Sequence, residues 1–174
     1  AFTNENNTLG VLYIVRDPRN VITSLKNHFN KKNYEDCLIF LKDEKKAIGS
    51  KKSNNNSDLP TIISSWSNHY KSWKKIKKNY LLVKYEDLLT SPEQEFIKIS
   101  EFIEGMLNLK FEKQKILQAV KDCSFEKLSE QENKHGFVEA SNNQKFFFLG
   151  PKNNWKKLIE SKIKIDIEES FKAE

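Results

Sequence analysis

Two arginines and one serine offer the clearest chemistry in this sequence. Arg16 and Arg19 are the only arginines among 30 basic residues, and both lie in one short segment. A guanidinium presents a planar fork of donors that binds a phosphate or a carboxylate through two hydrogen bonds, which a lysine ammonium does not do. Ser24 adds a hydroxyl group in the same segment. The segment predicts an anion-binding site. The plainer alternative is that Arg16 pairs with a carboxylate of the protein and Ser24 is a surface hydroxyl.

A strand that turns directly into a helix would position these groups. Residues 11–15 are apolar and rich in β-branched and aromatic side chains, which predicts a buried strand ending just before Arg16. Asp17 suits a helix N-cap, and Pro18 suits the first helical position, where a missing N–H has no cost. The apolar residues that continue at helical spacing are Val21, Ile22, Leu25 and Phe29. Arg16 is therefore expected at the carboxyl edge of a strand, where open α/β sheets bind ligands, and beside a helix N-terminus, which favours anions.

The rest of the pattern predicts an α/β fold. A second strand runs from Tyr80 to Tyr85, and helices are predicted before and after it. These helices are a surface helix over residues 37–41, a stripe through Ile62, Ile63, Trp66, Tyr70, Trp73 and Ile76, a helix from Pro92 that stops at Gly105, one over residues 111–120, a short one opened by Ser124, and a last one from Trp155 to Phe171. Residues 131–144 are polar and are predicted to be irregular. Strands alternating with helices imply a parallel sheet flanked by helices in three layers.

Composition and charge narrow the classes of function. A chain of 174 residues is predicted to be one domain, and it has no apolar run near the roughly 20 residues that span a bilayer. The net charge of +6 favours an anionic cofactor, but the lysines are interleaved with 24 acidic residues, which argues against nucleic-acid binding. Cys37 and Cys123 have no metal-ligand spacing, so no metal site is predicted, and isolated cysteines indicate a reducing compartment such as the cytoplasm. Residues 49–58 are polar and low in complexity and are predicted to form a mobile loop.

Four segments, in order along the chain, resemble the motifs of sulfotransferases that use 3′-phosphoadenosine 5′-phosphosulfate (PAPS). The segment from Tyr13 to Ser24 is similar to the family's 3′-phosphate motif, in which an Arg ends a strand and a Ser follows in the next helix. Residues 66–73 and 81–88 resemble its Trp-rich helix and the Tyr-Glu-Asp strand end that follows it. Residues 123–125 resemble its Thr-Ser-Phe segment, and residues 148–156 resemble its late Arg-Lys-Gly loop with the Trp that follows. The similarity covers nearly the whole chain except residues 34–60.

The resemblance implies a fold, a cofactor and a set of site residues. The fold would be the sheet of P-loop nucleotide-binding proteins, and the reaction would transfer a sulfuryl group from PAPS to a hydroxyl or amine acceptor, leaving 3′-phosphoadenosine 5′-phosphate (PAP). Arg16 and Ser24 would hold the 3′-phosphate, and the backbone N–H groups around Gly150 would approach the same phosphate. The adenine would be contacted by Tyr85, Cys123, Ser124 and Phe125, with Phe125 stacking on the ring.

The sequence departs from the family pattern at several of these positions. Phe148 and Leu149 stand where the family has Arg-Lys before the Gly, so two cations are missing. Lys152, on the other side of the Gly, is a candidate to replace one of them. Asn20 stands for the family's Asp, and Cys123 for its Thr.

The catalytic residues are not assigned. The family's phosphosulfate loop with its Lys, and its catalytic His, would lie upstream of residue 1, so residues 1–174 are expected to form a sulfotransferase-like domain that is incomplete at the N-terminus. His69 matches the family's Trp-rich structural helix and is predicted to be structural. Two other interpretations stay open: a fragment of a P-loop kinase or NTPase, and a non-catalytic module that keeps a phosphate site.

Overall fold

The structure, a computed structural model, describes residues 4–49, 61–140 and 144–172. The strands are β1 (Val11–Val15), β2 (Ala47–Ile48), β3 (Thr61–Ile62) and β4 (Tyr80–Lys84). The helices are α1 (Pro18–His28), α2 (Tyr34–Lys42), α3 (Trp66–Trp73), α4 (Tyr85–Thr90), α5 (Pro92–Leu107), α6 (Lys113–Asp122), α7 (Phe125–His135), α8 (Trp155–Leu158) and α9 (Ser161–Ser170), with short 3₁₀ turns at Glu5–Asn7 and Gly150–Lys152. Across these described ranges, no helix combines the length and the apolar character needed to cross a membrane.

Strands β1 and β4 form a parallel pair, which confirms the predicted α/β architecture with a parallel sheet. Val15 lies opposite Lys84, so the two strands end at the same edge. Because Arg16 follows β1 and Tyr85 follows β4, this register brings both residues to the carboxyl edge. Strands β2 and β3 form a separate antiparallel pair.

Asp17 lies at the turn between strand β1 and helix α1 and caps the helix. Its carboxylate accepts a hydrogen bond from the backbone N–H of Arg19 at 2.8 Å, and Pro18 occupies the first turn, as predicted. The backbone N–H of Asp17 donates to the carboxylate of Glu86 at 3.0 Å. Since Glu86 lies in α4, this bond ties the turn after β1 to the turn after β4.

The core beneath the site joins helices from both ends of the chain. Its buried members come from α1, α2 and the α9 region, and they are Ile22, Cys37, Leu38, Leu41, Ile163, Ile167 and Phe171. The indole of Trp66 packs on the ring of Phe171 with centroids 5.3 Å apart. Burial of this apolar surface fixes α1, which carries Ser24, against the C-terminal helix.

Two predicted helix boundaries near the middle of the chain are wrong. The helix expected to include Ile62 begins at Trp66, because the Ser65 hydroxyl caps it by accepting from the N–H of Asn68 at 3.2 Å. Ile62 instead belongs to β3 and is 69% exposed. Helix α5 does not stop at Gly105; it continues to Leu107 and ends at Asn108, whose φ of 51° is left-handed.

The C-terminal third also differs from the expected elements. The single helix predicted from Trp155 to Phe171 is two helices, α8 and α9, because Ile159 and Glu160 are extended. Helix α7 continues to His135, so the irregular segment begins later than residue 131. Tyr85 begins α4 instead of ending a strand. The predicted mobile loop at residues 49–58 lies outside the described residues, apart from Gly49.

His69 has the structural contacts that the sequence predicts. Its Nε2 lies 3.3 Å from the indole Nε1 of Trp73, which can only donate, so the ring proton is on Nδ1. That Nδ1 lies 3.0 Å from the hydroxyl oxygen of Tyr13 and donates to it. Burial lowers the pKa of His69 and raises the pKa of Tyr13 to about 12. Both groups therefore stay neutral in the fold and hold α3 against β1.

Candidate functional site

A cavity of about 460 Å³ opens at the carboxyl edge of the parallel strands. Helix α1 forms one wall, and the segment that leads into Gly150 forms the opposite wall. The lining residues are Arg16, Val21, Ser24, Leu25, Asn27, His28, Tyr85, Phe125, Phe146, Phe147, Phe148, Leu149, Gly150 and Asn153. Most of these side chains are apolar or aromatic, with a few polar groups at one end, which is the usual composition of a small-molecule site.

Arg16 is the charged group of this cavity, and its guanidinium is only partly satisfied. The Nη1 donates to the Ser24 hydroxyl oxygen at 3.2 Å, and the guanidinium carbon lies 4.3 Å from the centre of the Tyr85 ring. The Nε is buried and has no hydrogen-bond partner among the residues that the structure describes. In the described part of the chain, none of the ion pairs involves Arg16. The alternative that Arg16 pairs with a carboxylate therefore finds no support among these residues.

An unpartnered buried donor is informative because it is unfavourable. Leaving a buried donor unpaired costs about 1–3 kcal/mol, and more when the group is charged. A bound anion would remove that cost by accepting from Arg16. The orphaned Nε of an arginine that lines a cavity is thus the observation that fits a phosphate or sulfate ligand.

Ser24 takes part in a small polar network on the same wall. Its hydroxyl oxygen accepts from Arg16 Nη1 and from Asn153 Nδ2, the latter at 3.1 Å. The hydroxyl also lies 3.3 Å from the backbone oxygen of Asn20. Since Asn153 follows the Gly150 turn, this network joins the two walls of the cavity.

At position 150, any residue other than glycine would force the surrounding structure to rearrange. Its φ of 50° is in the left-handed region, and a Cβ at this position would overlap the ring of Phe125. The backbone at Gly150 therefore packs directly on the aromatic ring. The contact places two predicted site residues from distant parts of the chain side by side.

Glu132 holds the aromatic wall in place. This buried carboxylate, 8% exposed, accepts from the backbone N–H of Phe146 at 2.6 Å and of Phe147 at 2.9 Å. The ring of Phe147 then lies 6.3 Å from that of Phe125 in an edge-on arrangement. No signal in the sequence marked Glu132, because its role depends on a segment that packs against it from farther along the chain.

The structure brings together most of the predicted site residues. Arg16, Ser24, Tyr85, Phe125 and Gly150 all line the one cavity.

Two predicted site residues lie beside the cavity and not in its lining. The hydroxyl of Ser124 caps α7 by accepting from the N–H of Lys127 at 3.4 Å, so it orients the helix that begins with Phe125. Cys123 is exposed at the end of α6. Lys152, the candidate substitute cation, is exposed and does not line the cavity either. The sequence interpretation missed Asn153, although it lies in the segment quoted for the resemblance.

The segment before Gly150 keeps the apolar character seen in the sequence. Phe148 and Leu149 both line the cavity, and among the described residues that do so Arg16 is the one lysine or arginine. Asn20 no longer carries the family's carboxylate; its side-chain oxygen accepts from the N–H of Trp155 at 3.4 Å. The described residues contain no group of three or more His, Cys, Asp or Glu that could hold a metal ion.

Arg19, the second arginine, faces away from this cavity. Its guanidinium donates to both carboxylate oxygens of Asp17, with Nη2 to Oδ2 at 2.8 Å, and to Glu168 Oε1 at 2.9 Å. The guanidinium carbon also lies 4.3 Å from the centre of the Trp155 ring. The hydrogen bond from Arg19 to Asp17, assisted by the charges of Asp17 and Glu168, raises the pKa of Arg19. Arg19 is therefore a structural link between α1 and α9.

We compared the chain with protein-family models, with curated sequences and with solved structures. The model of the sulfotransferase domain matches residues 4–174. No curated protein sequence matches the chain. Among solved structures, mouse sulfotransferase SULT7A1 complexed with PAP is similar, with a TM-score of 0.64 and 20% identity over 93% of this chain and 57% of that one. Retinol dehydratase in complex with androsterone and inactive cofactor PAP has a TM-score of 0.62 and 20% identity, over 94% of this chain and 46% of that one.

These similarities differ in what they establish. At 20% identity, the likeness to the solved structures shows a shared fold. The chain spans about half the length of those proteins, 46% to 57%. The family model, in contrast, covers nearly all of this sequence. The chain belongs to the sulfotransferase domain family.

Proposed function

We propose that this chain supplies the 3′-phosphate and adenine site of an enzyme that transfers a sulfuryl group from PAPS to a hydroxyl or amine acceptor, and that residues 1–174 form one domain of it, incomplete at the N-terminus. Membership of the sulfotransferase family supports the reaction, and the PAP bound to the similar solved structures supports the cofactor. The observation that carries the proposal is the guanidinium of Arg16, which lines the cavity: its buried Nε has no partner in the described part of the chain, and its Nη1 donates to the Ser24 hydroxyl.

The polar end of the cavity is proposed to receive the 3′-phosphate. Arg16 offers its free Nε and one or more further donors, and Ser24 offers a hydroxyl within 3.2 Å of that guanidinium. Tyr85 supports the guanidinium from its ring face. The left-handed turn at Gly150 is proposed to direct backbone N–H groups toward the same phosphate, because successive backbone N–H groups in such a turn form an anion-binding concavity.

The aromatic side of the cavity is proposed to receive the adenine. Phe125 and Phe147 form its wall, so a flat base would find apolar ring faces and edges there. Tyr85 is proposed to lie near the base as well. Ser124 is proposed to act by fixing the start of α7, and Cys123 is proposed to lie at the rim.

The proposal gives this chain's residues binding and orienting roles. The bound cofactor supplies the sulfuryl group, and a fixed orientation of the nucleotide lowers the barrier to its transfer. The free, unpaired state of Cys37 and Cys123 supports a reducing compartment, and we propose the cytoplasm.

Competition between nucleotides tests the proposal. PAP, PAPS, adenosine 5′-phosphate and adenosine 2′,5′-bisphosphate are titrated against the protein by calorimetry. We expect PAP and PAPS to bind at least about tenfold more tightly than adenosine 5′-phosphate, because the latter leaves Arg16 without its partner. The 2′,5′-isomer carries the same charge in a different position and controls for general attraction to a basic protein.

Two outcomes would contradict the proposal. If adenosine 5′-phosphate competes as well as PAP, the assignment of Arg16 and Ser24 is wrong, and the P-loop kinase interpretation gains. If the 2′,5′-isomer binds as tightly as PAP, the site responds to charge and not to the position of the phosphate. The apolar pair Phe148 and Leu149 is expected to make the preference smaller than two further cations would.

A further inference from the structure

The side chain of Asn153 forms several hydrogen bonds with helix α1, on the opposite wall of the cavity. Its Nδ2 donates to the backbone oxygen of Asn20 and to the hydroxyl oxygen of Ser24, both at 3.1 Å. Its Oδ1 lies 2.6 Å from the hydroxyl of Thr23. One side chain of the Gly150 loop thus reaches three polar groups on the facing helix, those of Asn20, Thr23 and Ser24.

The orientation of the Asn153 amide is set by Thr23. The Thr23 hydroxyl, on a buried residue 3% exposed, lies 2.6 Å from Asn153 Oδ1 and 2.8 Å from the Asn20 oxygen. A hydroxyl has one proton to donate, and Asn153 Oδ1 carries none, so the 2.6 Å contact between these two oxygens requires the Thr23 proton. The Thr23 proton therefore satisfies Asn153 Oδ1, which turns the two amide protons toward Asn20 and Ser24.

This arrangement constrains what the Ser24 hydroxyl can do. A hydroxyl oxygen accepts two hydrogen bonds and donates one. Both acceptor positions of Ser24 are filled, by Arg16 Nη1 at 3.2 Å and by Asn153 Nδ2 at 3.1 Å. Among the described residues, its own proton has one partner, the Asn20 backbone oxygen at 3.3 Å, which is a long hydrogen bond to an oxygen that also accepts from Asn153. This weakly held proton is therefore the group of Ser24 that can donate a hydrogen bond to an anion.

We propose that Asn153 is a positioning residue that makes the Ser24 hydroxyl an obligatory donor to the ligand's phosphate. The inference rests on the proposed function, because it assigns Asn153 to the 3′-phosphate end of that cavity. Asn153 acts through Ser24 and the helix. The Asn153 amide continues to donate to Ser24 and Asn20. The Ser24 hydroxyl meanwhile redirects its own hydrogen bond from the Asn20 backbone oxygen to the phosphate.

The same residue fixes the distance between the two walls. The backbone N–H of Asn153 donates to the Gly150 oxygen at 3.0 Å, so the side chain that holds Ser24 belongs to the turn formed at Gly150. A change at Asn153 is therefore expected to affect the phosphate end of the cavity before it affects the aromatic end, where Glu132 holds the wall independently.

A set of variants in the intact protein tests this inference. Asn153→Ala removes the donor to Ser24. Asn153→Asp replaces that donor with a carboxylate oxygen, which would accept a hydrogen bond from the Ser24 hydroxyl and add a negative charge to the network that contains Arg16. We expect PAP affinity to fall roughly threefold to tenfold for Asn153→Ala and by more than about tenfold for Asn153→Asp. In Asn153→Ala, affinity for adenosine 5′-phosphate should change less than about twofold, which is no more than the effect of one weak contact. The reason is that this ligand lacks the 3′-phosphate.

Two further variants separate a positioning role from a structural one. In a Ser24→Ala background, Asn153→Ala should cause a clearly smaller loss of PAP affinity than in the unaltered protein, because the part of its action that passes through the Ser24 hydroxyl is already missing. Asn154→Ala is the matched control: Asn154 caps α8 by accepting from the N–H of Lys156 at 3.1 Å and does not contact Ser24. It should lower the melting temperature and leave the ratio of PAP to adenosine 5′-phosphate affinity unchanged.

The outcomes distinguish this inference from the proposed function. If the unaltered protein does not prefer PAP to adenosine 5′-phosphate, the proposed function fails, and the inference fails with it. If that preference exists but Asn153→Ala preserves it, or lowers affinity for both nucleotides equally, Asn153 is a structural residue and the inference alone is overturned. An additive loss in the double variant overturns it as well.

Discussion

The two arginines of the chain lie in one turn and have opposite surroundings. Arg19 is surrounded by partners: both oxygens of Asp17, one oxygen of Glu168 and the ring of Trp155. Arg16 has one neutral hydroxyl partner, one ring face and an orphaned buried Nε. An arginine that the protein neutralises joins elements of the fold. An arginine that the protein leaves short of partners is available for an anion.

Asp17 is what separates the two roles. Its carboxylate both caps α1 and grips Arg19, so the one acidic group nearest to Arg16 in sequence is already engaged. Glu86, the next acidic neighbour at this edge, accepts from the backbone of Asp17. Two carboxylates therefore lie at this edge of the sheet, and they accept from the backbone of Asp17 and from Arg19. This arrangement preserves a positive charge at the cavity, and within the described ranges that charge has no ion-pair partner.

The sharpest test of the comparison replaces each arginine by lysine. Arg16→Lys should weaken PAP binding by about 1–3 kcal/mol, because several directed donors become a single ammonium that cannot form the bidentate contact. Arg19→Lys should leave PAP affinity within about 0.5 kcal/mol of the original, as expected for a change away from the ligand. Calorimetry with PAP measures both.

The matched pair makes the result easy to interpret. The two variants carry the same charge as the original protein, so any general attraction of the nucleotide is equal in both. Equal losses in Arg16→Lys and Arg19→Lys, or no loss in either, would end the distinction between a binding arginine and a structural one.

The second test examines the structural side of the comparison through stability. Arg19→Lys should lower the free energy of unfolding by about 1 kcal/mol, since a lysine keeps one ion pair and loses the fork on Asp17 and the stacking on Trp155. For a chain of this size, that corresponds to a drop in melting temperature of about 2–4 °C.

Arg16→Lys is the control for this stability measurement. Without PAP it should be as stable as the original protein or slightly more stable, because a flexible ammonium can reach water where the Arg16 Nε cannot. A larger drop for Arg16→Lys than for Arg19→Lys would show that the assignment of roles is reversed.

The third and smallest effect is expected from adding a cation to the binding side. Phe148 lines the cavity and is 56% exposed, so Phe148→Arg can place a guanidinium at its rim. We expect PAP to bind more tightly by about 0.5–1 kcal/mol, the size of a solvent-screened charge contact. Ile165→Arg, on the exposed surface of α9, adds the same charge where it does not line the cavity.

Titration of PAP into both variants at low and moderate salt checks this expectation. The gain in Phe148→Arg should shrink as salt increases, because the contact is partly exposed. If Ile165→Arg improves binding as much as Phe148→Arg, the added field and not the local contact is responsible.

Local interactions explain why parts of the site could be predicted. The strand, the Asp17 cap and the helix after Pro18 lie in one segment of the chain, so alternation, capping and helical spacing determine them without the rest of the fold. The predicted parallel pairing of β1 and β4 then brings Arg16 and Tyr85 together. The breaks that were missed, at Ser65 and at Ile159, are places where a cap or an extended pair interrupts an otherwise continuous apolar stripe.

The sequence by itself determined the chemistry of the site: a scarce arginine at the end of β1, a serine in the helix that follows, and an apolar segment before Gly150. What only the tertiary structure decided is which groups engage that chemistry. Glu168 reaches Arg19 across 149 positions of the chain, and Asn153 reaches Ser24 across 129. Contacts between such distant residues depend on how α1, α9 and the Gly150 loop pack together, and no local pattern encodes that packing. The fold thus neutralises one arginine and leaves the other available.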